Sequence, residues 1–177
     1  MPGPLDGIKI LDLTSVGFGP FAAQILGDYG AEIIKIETQE GDITRGITPF
    51  VNQGMGHFFV MANRNKRSIV LDLKADKGRE AFLKLVESAD AIICSVRPAA
   101  MERLGLGYED CKKVNETMVY VALVGFGPSG PYAKFPAYVC IIQGVSAMAA
   151  MQGGRDGPPK LVNTLGCYKI CSHLPAN

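Results

Sequence analysis

Apolar and polar positions alternate through Ile8-Lys9-Ile10-Leu11-Asp12-Leu13 and give way at Ser15-Val16-Gly17, which predicts a strand ending in a turn. Pro20 fits the first turn of a helix, where its missing N–H has no partner to lose, and Gly30 is a good residue to close one. A helix is therefore expected from Pro20 to about Tyr29. Ala31 to Glu37, with Ile33, Ile34 and Ile36, predicts a second strand. Residues 38 to 66 are rich in Gly, Asn and Thr and keep no period, so a long functional loop is expected there. Ser68 to Leu73 predicts a third strand. Asp76 to Ser88 predicts a helix with Ala81, Phe82, Leu85 and Val86 on one face. Ala91 to Ser95 and Met118 to Val124 predict two more strands, separated by short helices at 99–104 and 108–115. A turn at Gly125-Phe126-Gly127-Pro128-Ser129-Gly130-Pro131 precedes a single apolar helix from Cys140 to Met151.

Strands alternating with helices imply an α/β fold with a doubly wound parallel sheet and right-handed crossovers. Ligands of such sheets bind at the carboxyl ends of the strands, so the informative residues should follow strands one, two, four and five. Composition narrows the picture. With 177 residues, 47% hydrophobic and 20% charged, the chain suits one ordinary globular domain. No run approaches the length of a membrane span, and the N-terminus lacks the basic and apolar regions of a secretory signal. A net charge of +1 without a basic, aromatic-laced stripe gives no reason to expect nucleic acid. Cys94, Cys111, Cys140, Cys167 and Cys171 are odd in number and irregular in spacing, unlike a disulfide framework. A cytoplasmic location is expected, with the mitochondrial matrix or peroxisome left open, although the C-terminal Pro175-Ala176-Asn177 is no peroxisomal tripeptide.

Three readings compete for the first turn. Gly17-Phe18-Gly19-Pro20-Phe21-Ala22 fits G-x-G-x-x-G/A, and Glu37 follows at the end of strand two, as in a dinucleotide-binding unit. The same glycines could serve only tight helix–strand packing. A helix N-terminus could also meet the pyrophosphate of a different nucleotide, coenzyme A.

The order and spacing of several blocks bear on that choice. Pro4-Leu5-Asp6-Gly7-Ile8-Lys9-Ile10-Leu11-Asp12-Leu13-Thr14 with Gly19-Pro20, then Gly27-Asp28-Tyr29-Gly30-Ala31-Glu32-Ile33-Ile34-Lys35-Ile36-Glu37, resemble the opening of the family III CoA-transferases (the CaiB/BaiF type). Gly41-Asp42, Thr44-Arg45, Asn63-Arg64-Asn65-Lys66-Arg67-Ser68, Leu71-Asp72-Leu73-Lys74, Arg97-Pro98, Met101 to Gly107, Gly125 to Pro131 and Gly157-Pro158-Pro159 continue the likeness to about residue 165. The resemblance implies the N-terminal, CoA-binding part of a Rossmann-like large domain over residues 1–165, with 166–177 as a divergent tail. It implies a parent homodimer of two interlocked chains, with CoA or acyl-CoA and a carboxylic acid as substrates and no permanently bound cofactor.

The same resemblance places CoA contacts at Ser15, Val16, Gly17 and Phe18, and further contacts at Arg97 and Arg103, of which Arg103 matches more closely. Guanidinium suits a phosphate through two parallel hydrogen bonds and can stack on adenine. The commoner fate of such arginines is a solvated surface. Lys66 and Arg67 are open candidates for holding anionic CoA. The family's nucleophilic aspartate is expected nine residues after Pro159, where this chain has Tyr168. A phenol cannot form the anhydride that exchanges with CoA, so a truncated and inactive relative is expected. Rival readings are a non-catalytic CoA-binding or interaction protein, an NAD-dependent oxidoreductase, and a 2-methylacyl-CoA racemase. The racemase reading loses ground because Tyr138 stands where that enzyme has histidine. Cys167, Cys171 and His173 offer three potential zinc ligands without a fourth, a chance pattern.

Overall fold

The computed structural model describes residues 3–127, 129–133 and 135–162. They divide into two compact units, the first ending at Leu123 and the second starting at Val124.

The first unit is an α/β layer structure. Its five strands are β1 (Lys9–Leu13), β2 (Glu32–Glu37), β3 (Lys66–Val70), β4 (Ala91–Cys94) and β5 (Val119–Ala122). They form one sheet in the order β3-β2-β1-β4-β5, and every pairing is parallel. The order reverses at β1, which lies between β2 and β4: Leu11 is in register with Ile34 on one side and Ile92 on the other. Side chains alternate across the sheet, and both faces are covered. Leu11, Leu13, Ile92 and Cys94 meet Phe82 and Val86 of α3 (Asp76–Val86), Met101 of α4 (Pro98–Arg103) and Cys111 of α5 (Tyr108–Val114). Ile10, Ile33 and Ile93 meet Ala23 and Leu26 of α1 (Phe18–Asp28) on the opposite face. This is the doubly wound sheet that the strand–helix alternation predicts.

Three expectations need correction. Residues 38–66 are not one loop: Ile43–Gly46 forms a 3-10 turn and His57–Ala62 forms helix α2. Asp42 accepts from the Thr44 amide at 3.0 Å to start the turn, and burial of Phe59 and Ala62 supports a helix too short to show a period. The third strand runs from Lys66 to Val70 rather than from Ser68 to Leu73. Its limits follow pairing with β2, from Ile33↔Lys66 to Glu37↔Val70, after which the Asp72 side chain turns the chain by accepting from the Lys74 amide.

In the second unit, Cys140 to Met151 is not one helix. It is α6 (Val139–Val145) and α7 (Met148–Gly153), broken where Ala147 takes a left-handed φ of 59°. Phe126 and Ile142 form this unit's small core with Val139, Met148 and Val162 packed against it. Among the described residues no helix is long and apolar enough to cross a membrane.

Candidate functional site

The carboxyl ends of β1, β2, β3 and β4 open onto a cleft of about 420 Å³, within the usual range for small-molecule sites. Leu13 to Ser15, Ile36 to Asp42, Leu71 to Lys74 and Val96, Met101 and Leu104 line it. It lies beside the point where the strand order reverses, where ligands of such sheets bind.

The turn after β1 does not obtain its shape as a glycine fingerprint would. The left-handed residue is Val16, at φ 69°, whereas Gly17 caps α1 at φ −126°. A β-branched residue held there costs about 1–3 kcal/mol, and such strain persists only where the surroundings impose it. The glycines serve packing. A Cβ at Gly19 would lie 2.4 Å from the Thr14 Cβ, and one at Gly17 would lie 3.2 Å from the Phe58 ring. Among the described residues no side chain caps the N-terminus of α1.

Beneath the turn lies a buried ionic network. Lys35 Nζ donates to the Thr14 carbonyl at 2.7 Å and pairs with Asp42 Oδ2 at 3.0 Å. Lys66 Nζ pairs with Asp12 Oδ2 at 2.8 Å and donates to the Pro20 carbonyl at 2.7 Å and to Asn63 Oδ1 at 2.9 Å. Burial depresses the Lys66 ammonium's pKa, against the pull of Asp12. Burial alone would raise the Asp42 carboxyl, but hydrogen bonds from Thr44 and the charge of Lys35 hold it below the ordinary range. Glu37 accepts from Arg45 Nε and Nη2 at 2.8 and 2.6 Å, from the Asp42 amide at 2.8 Å and from the Ser68 hydroxyl. These bonds, led by Arg45, outweigh burial and pull it down to about 2. The Arg45 guanidinium in turn lies 3.8 Å from the Phe59 ring centroid.

This geometry redistributes the roles read from sequence. Glu37, the ribose-binding acid of the dinucleotide reading, is occupied by a bidentate arginine and two further donors. Lys66 is an internal strut. Arg67 is on the surface and pairs with Glu32, and Arg64 pairs with Asp28. Ser15 and Val16 are exposed, Gly17 is buried and Phe18 is half-buried. The Ser15 amide donates to Ser95 Oγ at 3.3 Å, which ties the ends of β1 and β4 together. Arg97 is exposed at the N-cap of α4, next to Val96 of the cleft wall. Arg103 is exposed between the lining residues Met101 and Leu104. Among the described residues neither arginine has an ion-pair partner. Tyr168 and the Cys167, Cys171 and His173 group lie outside the described residues.

Sequence reasoning missed the wall formed by Leu71 to Lys74, including the exposed Lys74. Placing the third strand too late absorbed Leu71 to Leu73 into it. Ending the strand at Val70 puts them at the carboxyl end of β3, which the expectation of strands one, two, four and five left out, whereas the residues lining the cleft follow β1 to β4.

Known proteins agree with this geometry. The profile of CoA-transferase family III matches residues 5–177. Over 170 residues the chain is 42% identical to an acetyl-CoA:oxalate CoA-transferase of Acetobacter aceti, covering 96% of this chain and 43% of that protein. Over 163 residues it is 40% identical to a succinate–glutarate CoA-transferase of Agrobacterium fabrum, covering 88% of this chain and 41% of the relative. The crystal structure of a CaiB/BaiF family protein from Brucella suis superposes with a TM-score of 0.87 at 36% identity, over 93% of this chain and 45% of that one. The chain thus spans less than half the length of these relatives. A match over nearly the whole sequence, joined to a doubly wound sheet with its cleft at the strand ends, establishes that the chain belongs to CoA-transferase family III.

Proposed function

We propose that the cleft takes the nucleotide end of coenzyme A or an acyl-CoA thioester, and that the protein belongs to a system moving CoA between carboxylic acids. The observation that carries this reading is the placement of the exposed cations Lys74, Arg97 and Arg103 on or beside residues lining a cleft at the carboxyl ends of the sheet. Exposed guanidinium and ammonium groups are ready donors for the pyrophosphate and the 3′-phosphate. Ser15 and Val16 are exposed at the end of β1, and Gly17 and Phe18 begin the helix whose N-terminal dipole favours an anion. Glu37 favours this reading over NAD, because its carboxylate is already satisfied.

Transfer is a separate matter from binding. The family resemblance calls for a carboxylate at position 168 to attack the thioester and form a mixed anhydride, and this chain has Tyr168 there. A phenol has no carbonyl carbon on which CoA could be held as an enzyme thioester, so the proposal includes CoA binding without turnover by this chain. A non-catalytic CoA-binding role follows if no other carboxylate serves.

Calorimetric titration of the 177-residue chain with CoA and with NAD tests the binding reading. CoA should bind more tightly, and tighter binding of NAD would sink it. Arg103→Ala should weaken CoA binding by about 1.5–3 kcal/mol, the range for a hydrogen bond to a charged group. An unchanged dissociation constant would return Arg103 to the solvated surface. An exchange assay with succinyl-CoA and formyl-CoA, followed by hydroxylamine trapping, tests the chemistry. Turnover above the uncatalysed rate, or a trapped adduct, would disprove the inactivity.

A further inference from the structure

We propose that Lys35 and Asp42 are positioning residues that hold the turn after β1 in its left-handed form, so that the ligand meets a preformed surface. The inference rests on the CoA reading of the cleft for its function, but its geometry stands apart from the ligand.

One backbone group on each of three successive residues, Thr14 to Val16, is gripped from outside the turn. The Thr14 carbonyl accepts from Lys35 Nζ at 2.7 Å, the Ser15 amide donates to Ser95 Oγ at 3.3 Å, and the Val16 amide donates to Asp42 Oδ1 at 3.4 Å. Lys35 and Asp42 are themselves joined at 3.0 Å, with side chains only 1% exposed. The pair therefore grips the chain on both sides of Ser15. Asp42 is fixed in its turn, because the same Oδ1 accepts from the Thr44 amide at 3.0 Å and hydroxyl at 2.7 Å. The flanks are held independently. Asp12 accepts from the Thr14 amide at 3.0 Å, and Lys66 holds the Pro20 carbonyl.

Nothing local favours the left-handed conformation at a valine, whose branched Cβ crowds the following carbonyl. The conformation must be imposed by the tertiary contacts. A buried ion pair adds little net stability over a well-packed apolar pair, whereas it can specify one geometry. A ligand that meets a preformed turn need not order it on binding, which raises affinity without adding a contact.

The test compares four forms of the 177-residue chain: wild type, Lys35→Met/Asp42→Asn, Val16→Gly, and the triple variant. The paired substitution removes both charges together, so no buried ion is left alone. Hydrogen exchange read by mass spectrometry should show residues 15–18 opening about tenfold faster in the paired variant while β1 and β4 keep their protection. CoA binding should weaken about tenfold, and Val16→Gly added to the pair should recover part of it, because glycine enters the left-handed region freely. Unchanged exchange at 15–18 would overturn the proposal. Failure of both the paired variant and Asp42→Asn alone to fold would also overturn it, by making the pair a stability element. If wild type binds no CoA, the CoA reading falls while the exchange comparison still decides whether the pair holds the turn.

Discussion

Residues 3–123 and 124–162 carry comparable apolar side chains and bury them to very different extents. In the first unit, twelve buried residues form a cluster on one face of the sheet and five form another on the opposite face. In the second, among the described residues, the buried cluster is Phe126 and Ile142, and Phe135, Tyr138, Val145 and Met151 remain exposed. The first unit also holds every ion pair found among the described residues. The second depends on a few directional bonds. Both amide atoms of Gln143 bond the backbone of Val162, at 2.9 and 2.7 Å, and the Lys160 amide donates to the Ala149 carbonyl at 2.8 Å. Its helices have seven and six residues, too short to persist without packing. The contrast teaches that similar hydrophobicity yields a robust layer only where a sheet gives it two faces to cover.

The largest expected effect tests that contrast directly. Phe82 is 0% exposed in the larger cluster, so Phe82→Ala should cost about 3–5 kcal/mol in urea denaturation. Phe126→Ala should cost no more than about 2 kcal/mol, because a site with few buried neighbours can collapse. Equal losses would erase the distinction.

Next comes acid. Glu37 has a folded-state pKa of about 2 against an ordinary 4.5. Because the folded value is the lower, its contribution is complete above about pH 4.5 and is lost as pH falls toward 2. That contribution is on the order of 3 kcal/mol, and Glu37→Gln should remove this part of the acid sensitivity from the first unit. A variant with the wild-type acid slope between pH 5 and 2 would contradict the assignment.

Smaller still is Gln143→Ala, which removes the two hydrogen bonds that the Gln143 side chain makes to the Val162 backbone. It should cost about 1–2 kcal/mol locally, seen as faster amide exchange near Val162 with little change in β1 or β4. The smallest effect belongs to Met151→Ser. Met151 is 80% exposed, so stability in urea denaturation should move by less than about 0.5 kcal/mol. A large destabilisation would mean that Met151 is packed after all.

Most first-unit elements were legible because their signals are local. Strands β1 and β2 and helices α1 and α3 end within two residues of where alternation, Gly30 and helical spacing place them. Helix α2 was missed because six residues give no period, and its support comes from Phe59 packing under Arg45. The Cys140–Met151 segment was drawn as one helix because its pattern continues through Ser146 and Ala147, where the backbone turns left-handed. At the site, the strand-end rule correctly brought Ser15, Val16 and Arg97 to one end of the sheet. It gave no warning that Glu37 and Lys66 face internal partners.

By itself the sequence determined the alternation of strands and helices, the parallel sheet that follows from it, and the family, since these rest on periodicity and on ordered blocks of neighbouring residues. Only the tertiary structure decided which charges remain available to a ligand. Asp12 and Lys66 are 54 positions apart, Lys35 reaches back to Thr14, and Arg45 closes on Glu37. Whether a carboxylate is free or spent depends on such distant partners once water is excluded, and no local pattern encodes it.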